Sequence, residues 1–168
     1  KHLFSPWRMK YIDEHKKEPG CAFCNALQGE DGPGNLILWR GGKVFIILNL
    51  FPYTSGHVMV LPYKHCDQLT DLDDETLAEM MRVVRRLAGL LKAEYHCQGI
   101  NIGMNVGLAA GAGIAEHLHM HLVPRWVGDS NFESVVGHTR VIPEALDVTY
   151  NRLKTAWESG EALHDQQE

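Results

Sequence analysis

Apolar and polar positions change their spacing several times along the chain. Three short apolar runs, Asn35–Trp39, Lys43–Leu48 and His57–Leu61, predict β-strands. Arg40-Gly41-Gly42 separates the first two and supplies a hairpin turn. Phe51-Pro52-Tyr53-Thr54-Ser55-Gly56 reads as the next turn. Over residues 73–93 the period becomes helical. Leu77, Met80, Met81, Val84, Leu87, Ala88 and Leu91 fall on one stripe of an amphipathic helix that covers a sheet. Asp73 suits its N-cap, and Asp74 and Glu75 suit its first turn. Gly99–Asn105 alternates Ile100, Ile102 and Met104 with Asn101, Gly103 and Asn105, the pattern of a half-buried strand. Val106–Gly113 is rich in glycine and alanine, so backbone there can approach a ligand. Glu116–Val123 is the last predicted strand, and a terminal helix is expected from near Pro143 toward Trp157. The tail from Ser159 is polar and expected to fray. Residues 1–33 are turn-rich, broken at Pro6, Pro19-Gly20 and Gly32-Pro33-Gly34. Five strands with hairpin-like links and two helices predict an α+β fold on an antiparallel sheet.

His117-Leu118-His119-Met120-His121-Leu122 alternates strictly. On extended chain the three imidazoles line one face, roughly 7 Å apart, while Leu118, Met120 and Leu122 turn to the other. Packing alone does not call for three histidines in register opposite an apolar set. Two chemistries use such a row. One is a transition-metal site with several imidazole ligands. The other is nucleophilic or acid–base catalysis at phosphorus, for which neutral imidazole is abundant at pH 7.

With 168 residues and 45% apolar side chains, the chain is expected to be a single domain, residues 1–168, with a full core. Sixteen basic against 21 acidic residues leave a charge of −5, which argues against binding a nucleic-acid backbone. No apolar run reaches the roughly 20 residues of a membrane span, and Lys1–Arg8 lacks the apolar stretch of a signal peptide. Of four cysteines, Cys21 and Cys24 form a Cys-x-x-Cys pair, half of a common tetrahedral zinc site; Cys66 and Cys97 read as small buried residues. This usage fits a reducing compartment, and a cytoplasmic location is expected. No Gly-rich loop with a P-loop lysine is present.

The segment His117-Leu118-His119-Met120-His121-Leu122-Val123 resembles the signature of the histidine-triad (HIT) superfamily of nucleotidyl hydrolases and transferases. Several stretches resemble its branch related to bacterial diadenosine tetraphosphate phosphorylase. These are residues 5–12, Cys21-Ala22-Phe23-Cys24, Asn105-Val106-Gly107, residues 110–114, residues 117–126 and residues 128–132; the likeness spans about residues 3–157. The resemblance implies that His119 is the nucleophile and that His121 contacts phosphate. His57, in Gly56-His57-Val58-Met59-Val60-Leu61-Pro62, is expected to face the phosphates. Asn49 matches a ribose-contacting position, and Asn105 one near the scissile phosphate. Backbone N–H groups around Gly113 and Ile114 are expected to stabilise phosphoryl oxygens, and Trp126 to wall the nucleotide pocket.

Relatives of this kind complete a zinc site with two histidines, here His65 and His117, beside Cys21 and Cys24. The expected zinc is structural, one per chain, because four protein ligands leave no open position. The implied reaction is cleavage of an adenylyl compound such as diadenosine tetraphosphate through an adenylyl-His119 intermediate. Phosphate is the implied acceptor, giving ATP and ADP. Ala112-Gly113 stands where comparable phosphorylases carry a Gly-Ser pair, which leaves water as the alternative acceptor. A zinc-stabilised nucleotide-binding module with little turnover is a further alternative. The family habit implies a homodimer that joins two sheets across the long helix and neighbouring strand. Nucleic acid and membrane are not expected partners.

Overall fold

The computed structural model of the chain describes residues 19–129 and 144–164, the last four of these by backbone alone. Residues 5–12, Ser130-Asn131-Phe132 and Pro143 lie outside the described residues. The elements run α1 (Ala22–Ala26), β1 (Ile37–Arg40), β2 (Val44–Leu48), β3 (Val58–Pro62), α2 (Asp74–Tyr95), β4 (Gly99–Met104), β5 (Met120–Arg125) and α3 (Leu146–His164). The strands form one antiparallel sheet in the order β1-β2-β3-β5-β4. The expected α+β architecture, a five-stranded sheet with a long helix and a C-terminal helix, is the one observed.

Turn chemistry sets the sheet's register. At the β1–β2 hairpin the Gly41 N–H donates to Val44 O at 2.8 Å, and a Cβ on Gly41 would lie 2.3 Å from the Trp39 ring. Only glycine fits under that indole. Glu79, reaching from α2, accepts the Lys43 N–H with both carboxylate oxygens. α2 starts where its cap predicts: Asp73 Oδ1 accepts the Thr76 N–H at 2.7 Å. It ends at His96, a left-handed residue with φ 48°, slightly beyond the predicted end.

α2 packs on β2, β3 and β5, burying Met80, Val83, Val84, Leu87 and Leu91. Met81, expected on that stripe, is 54% exposed, and Val83 takes the buried position. α3 lies against β1 and α2 through Tyr150, Leu153 and Trp157. The Tyr150 hydroxyl donates to Ile37 O, and the Trp157 ring packs on Trp39 with the Arg86 guanidinium over it. α3 continues past Trp157, the expected end, to His164.

Val58, Val60 and Leu122 sit in the core with the helices, and Met120 packs against it. By the pleat, the row Ile47–Met59–His121–Gly103 then faces the opposite side. Ladder pairing of β5 begins at Met120, not at Glu116 as the alternation suggests. Just before it, the Leu118 N–H donates to Cys66 O at 2.8 Å, so this stretch is pinned to the 65–66 loop and not to a neighbouring strand.

Candidate active site and metal centre

Hydrogen bonds fix the tautomers of the histidine row. A carbonyl oxygen only accepts, so the His119 Nδ1–H donates to His117 O at 2.8 Å and leaves an in-plane lone pair on Nε2. A backbone N–H only donates, so the Tyr53 N–H at 3.1 Å makes His57 Nδ1 an acceptor. The His57 proton therefore sits on Nε2 and is given to His121 Nδ1 at 2.9 Å. That leaves His121 carrying its own proton on Nε2. The His119 and His121 rings stand edge to face at 4.8 Å. Across from His121, Gly103 on the edge strand β4 places no side chain beside the imidazole. One ring thus offers a lone pair and its neighbour offers a proton.

These rings stay neutral near pH 7. Burial, reinforced by His121 and His119, pushes His57 down to about 3. Burial and the His119 neighbour push His121 down to about 4. His119 is lowered by burial, against the opposing effect of its bond to the His117 carbonyl. His117 is likewise lowered, mainly by burial. A neutral imidazole is the form a nucleophile needs.

Cys21, Cys24, His65 and His117 bring one ligand atom each to within 4.8 Å of one another. His117 Nε2–H donates to Pro62 O at 2.9 Å, which frees Nδ1 to face Cys21 Sγ at 3.4 Å and Cys24 Sγ at 3.6 Å. His65 Nδ1 lies 3.5 Å from Cys24 Sγ. A tetrahedral zinc with Zn–S of about 2.3 Å and Zn–N of about 2.0 Å separates sulfur from nitrogen by about 3.5 Å. The donor set therefore fits zinc in both chemistry and spacing. Burial and the Cys21 neighbour hold the Cys24 thiol up at about 11, so without a cation that thiol resists ionisation. All four cysteines are free of disulfides.

The remaining predicted residues take varied positions. Asn49 is half-buried; its Oδ1 accepts the Phe51 N–H at 2.9 Å, and its Nδ2 lies 3.5 Å from His57 Nε2. Asn105 is half-buried just past β4, Gly113 is exposed, and Ile114 packs on the core edge. Trp126 follows the end of β5, and its indole N–H donates to Tyr95 O at 3.3 Å.

Residues 35–127 match the family model described as the HIT domain. The chain belongs to the HIT family. It is 40% identical over 163 residues to a protein of Mycobacterium tuberculosis named AP-4-A phosphorylase, covering 92% of this chain and 83% of that one. The structure of a zinc-bound histidine triad family protein from Mycobacterium smegmatis superposes with TM-score 0.68 at 29% identity, over 86% of this chain and 97% of that one. A hypothetical histidine triad nucleotide-binding protein from Sulfolobus tokodaii gives TM-score 0.66 at 28% identity, over 83% and 93%.

Two residues of this HIT site escape a reading of the sequence. Phe23 lies with its ring 5.2 Å from His119 and 5.6 Å from His117. Its place between the two cysteines was the available signal. Tyr53 acts through its main chain, as donor to His57, which no side-chain pattern reveals.

Proposed function

We propose that this HIT protein cleaves a nucleotide polyphosphate, of the diadenosine tetraphosphate type, at an α-phosphorus through a nucleotidyl-His119 intermediate. His119 Nε2 attacks phosphorus, forming the N–P bond as the bond to the leaving polyphosphate oxygen breaks. His121 Nε2–H, oriented by His57, donates to a phosphoryl or leaving-group oxygen. The acceptor oxygen then attacks the same phosphorus as the N–P bond breaks; the bond pair returns to His119 Nε2, and where the acceptor is water its proton passes to solvent. The backbone N–H groups of Gly113 and Ile114 would steady the developing charge; Asn49, Asn105 and Trp126 are assigned to nucleotide contact. Zinc on Cys21, Cys24, His65 and His117 would supply a cross-link between the N-terminal segment and the histidine row. The observation that carries this reading is the tautomer set: a lone pair on His119 Nε2 beside a proton on His121 Nε2.

Water is the acceptor favoured here, because Ala112-Gly113 offers no hydroxyl to hold phosphate. A second reading, phosphorolysis, draws on the 40% identity to the protein named AP-4-A phosphorylase. Diadenosine tetraphosphate incubated with rising phosphate separates them. ATP plus AMP throughout supports water; ATP plus ADP that grows with phosphate supports the second reading. His119→Gly should abolish both, since loss of a covalent step costs many orders of magnitude. Retention of a tenth of the activity refutes the nucleophile. A homodimer across α2 and β4 belongs to this proposal, with sedimentation as its test.

A further inference from the structure

Two contacts tie the metal cluster to the ring of His119. The first is His117, whose Nδ1 faces both sulfurs and whose carbonyl oxygen receives the His119 Nδ1–H. The second is Phe23, carried between Cys21 and Cys24. Its ring meets His117 nearly perpendicular, at 81°, and meets His119 tilted at 53°. Phe23 is the only buried residue of α1. At its C-terminal end, Asn35 and Arg40 donate to the carbonyls of Ala26 and Leu27. Ala26 and Leu27 also pack against the core, and on either side of the ring the knuckle carries the two cysteines of the cluster.

One hydrogen bond at Nδ1 fixes an atom of an imidazole but leaves the plane free to swing about it. Two rings limit that freedom here, His121 at 4.8 Å and Phe23 at 5.2 Å, and of the two only Phe23 is carried by the metal-binding knuckle. A nucleophilic lone pair must point at phosphorus, and a misplacement of about 1 Å can cost about a hundredfold in rate.

We propose that Phe23 is a positioning residue for His119, and that a metal on Cys21, Cys24, His65 and His117 holds the knuckle that presses it there. The proposal rests on the reading of His119 as nucleophile. Through Phe23 the cluster acts on the rate, beyond its part in holding the chain together. Metal loss and loss of the Phe23 ring are then the same injury delivered twice, so their effects do not multiply.

The test is a two-by-two comparison of wild type and Phe23→Leu, each zinc-loaded and chelator-treated, with diadenosine tetraphosphate as probe. Leucine keeps an apolar side chain in place, and rates are taken per folded molecule from melts run in parallel. Loaded Phe23→Leu should hold about one zinc per chain and lose about tenfold in kcat, with KM changed less than threefold. Chelation should slow the wild type by a similar factor and the variant by less than threefold. A readout free of turnover accompanies it: the His119 Nδ1–H resonance, slow to exchange in loaded wild type, should broaden in the variant and in both chelated forms. An unchanged kcat in loaded Phe23→Leu, a loss confined to KM, or losses that multiply overturns the proposal. Activity surviving in His119→Gly would instead overturn the nucleophile, so the two failures are told apart.

Discussion

Replacing His57 with phenylalanine tests whether the row of tautomers matters. The ring volume is kept in a site only 1% exposed, and both nitrogens are removed. Two partners lose their bond, the Tyr53 N–H and His121 Nδ1. A buried polar group left alone costs about 1–3 kcal/mol. Tyr53 is 44% exposed and His121 less so, and most of the cost is assigned to His121. About 2 kcal/mol is expected, which lowers Tm by about 4–8 °C in a chain of this size. Turnover should suffer more. Without a donor at Nδ1, His121 no longer has to keep its proton on Nε2, and a charge-assisted bond to phosphoryl oxygen is lost. That bond is worth about 1.5–3 kcal/mol, or about ten- to 150-fold in kcat. His57→Gln places an amide N–H near the old Nε2 and should recover most of the rate. Melts and kcat on diadenosine tetraphosphate provide both readings. A phenylalanine variant within twofold of wild type, or a glutamine variant as slow as it, refutes the relay.

Acid should weaken the fold in a definite window. His57 and His121 titrate near 6.5 when unfolded but at about 3 and about 4 in place. The unfolded chain therefore binds more protons between these limits, and their contribution, complete above about 6.5, is lost as pH falls toward 3. Urea midpoints across that range should drop with acid, and less steeply in His57→Phe; a flat profile contradicts the burial of these rings. Gly56 has φ +78°, and a Cβ there would stand 2.8 Å from Tyr95 Cε2, on a ring tied by Glu144 and Arg152. Gly56→Ala should therefore cost more than about 2 kcal/mol. Gly89, on α2 with open space around it, is the control, and its alanine variant should gain about 0.5–1 kcal/mol in thermal melts. Purified protein should carry about one zinc per chain, and Cys21→Ser should lose metal and melt earlier; a metal-free wild type of normal stability contradicts the site.

Alternation and capping made most of this fold readable. Asp73 announced the start of α2, and the period-two run pointed to the histidine row in which the His119 and His121 rings meet. What stayed hidden depends on partners distant in sequence. The ladder of β5 starts only at Met120 because, just before it, Leu118 serves Cys66 and His117 faces the metal cluster, a competition no local pattern encodes. α2 ends on His96 in a left-handed conformation usually given to glycine, so its C-terminus carried no punctuation. Met81 and Val83 exchanged places because a helical stripe fixes a face to within about one residue in 3.6 and the sheet chooses the rest. The cluster's two histidines lie 52 residues apart and are joined only by folding.

The four ligands of that cluster do not meet solvent equally. Cys21 and His117 are buried, Cys24 is half-buried and His65 is exposed. Among the described residues, a bound ion would therefore be reached most readily from the His65 side. A competing chelator meets His65 first, and its imidazole is the ligand able to swing away without disturbing the core. With His65 turned out, Cys21, Cys24 and His117 would be left to hold the ion. Delivery and removal of metal would then pass by the His65 side of the cluster.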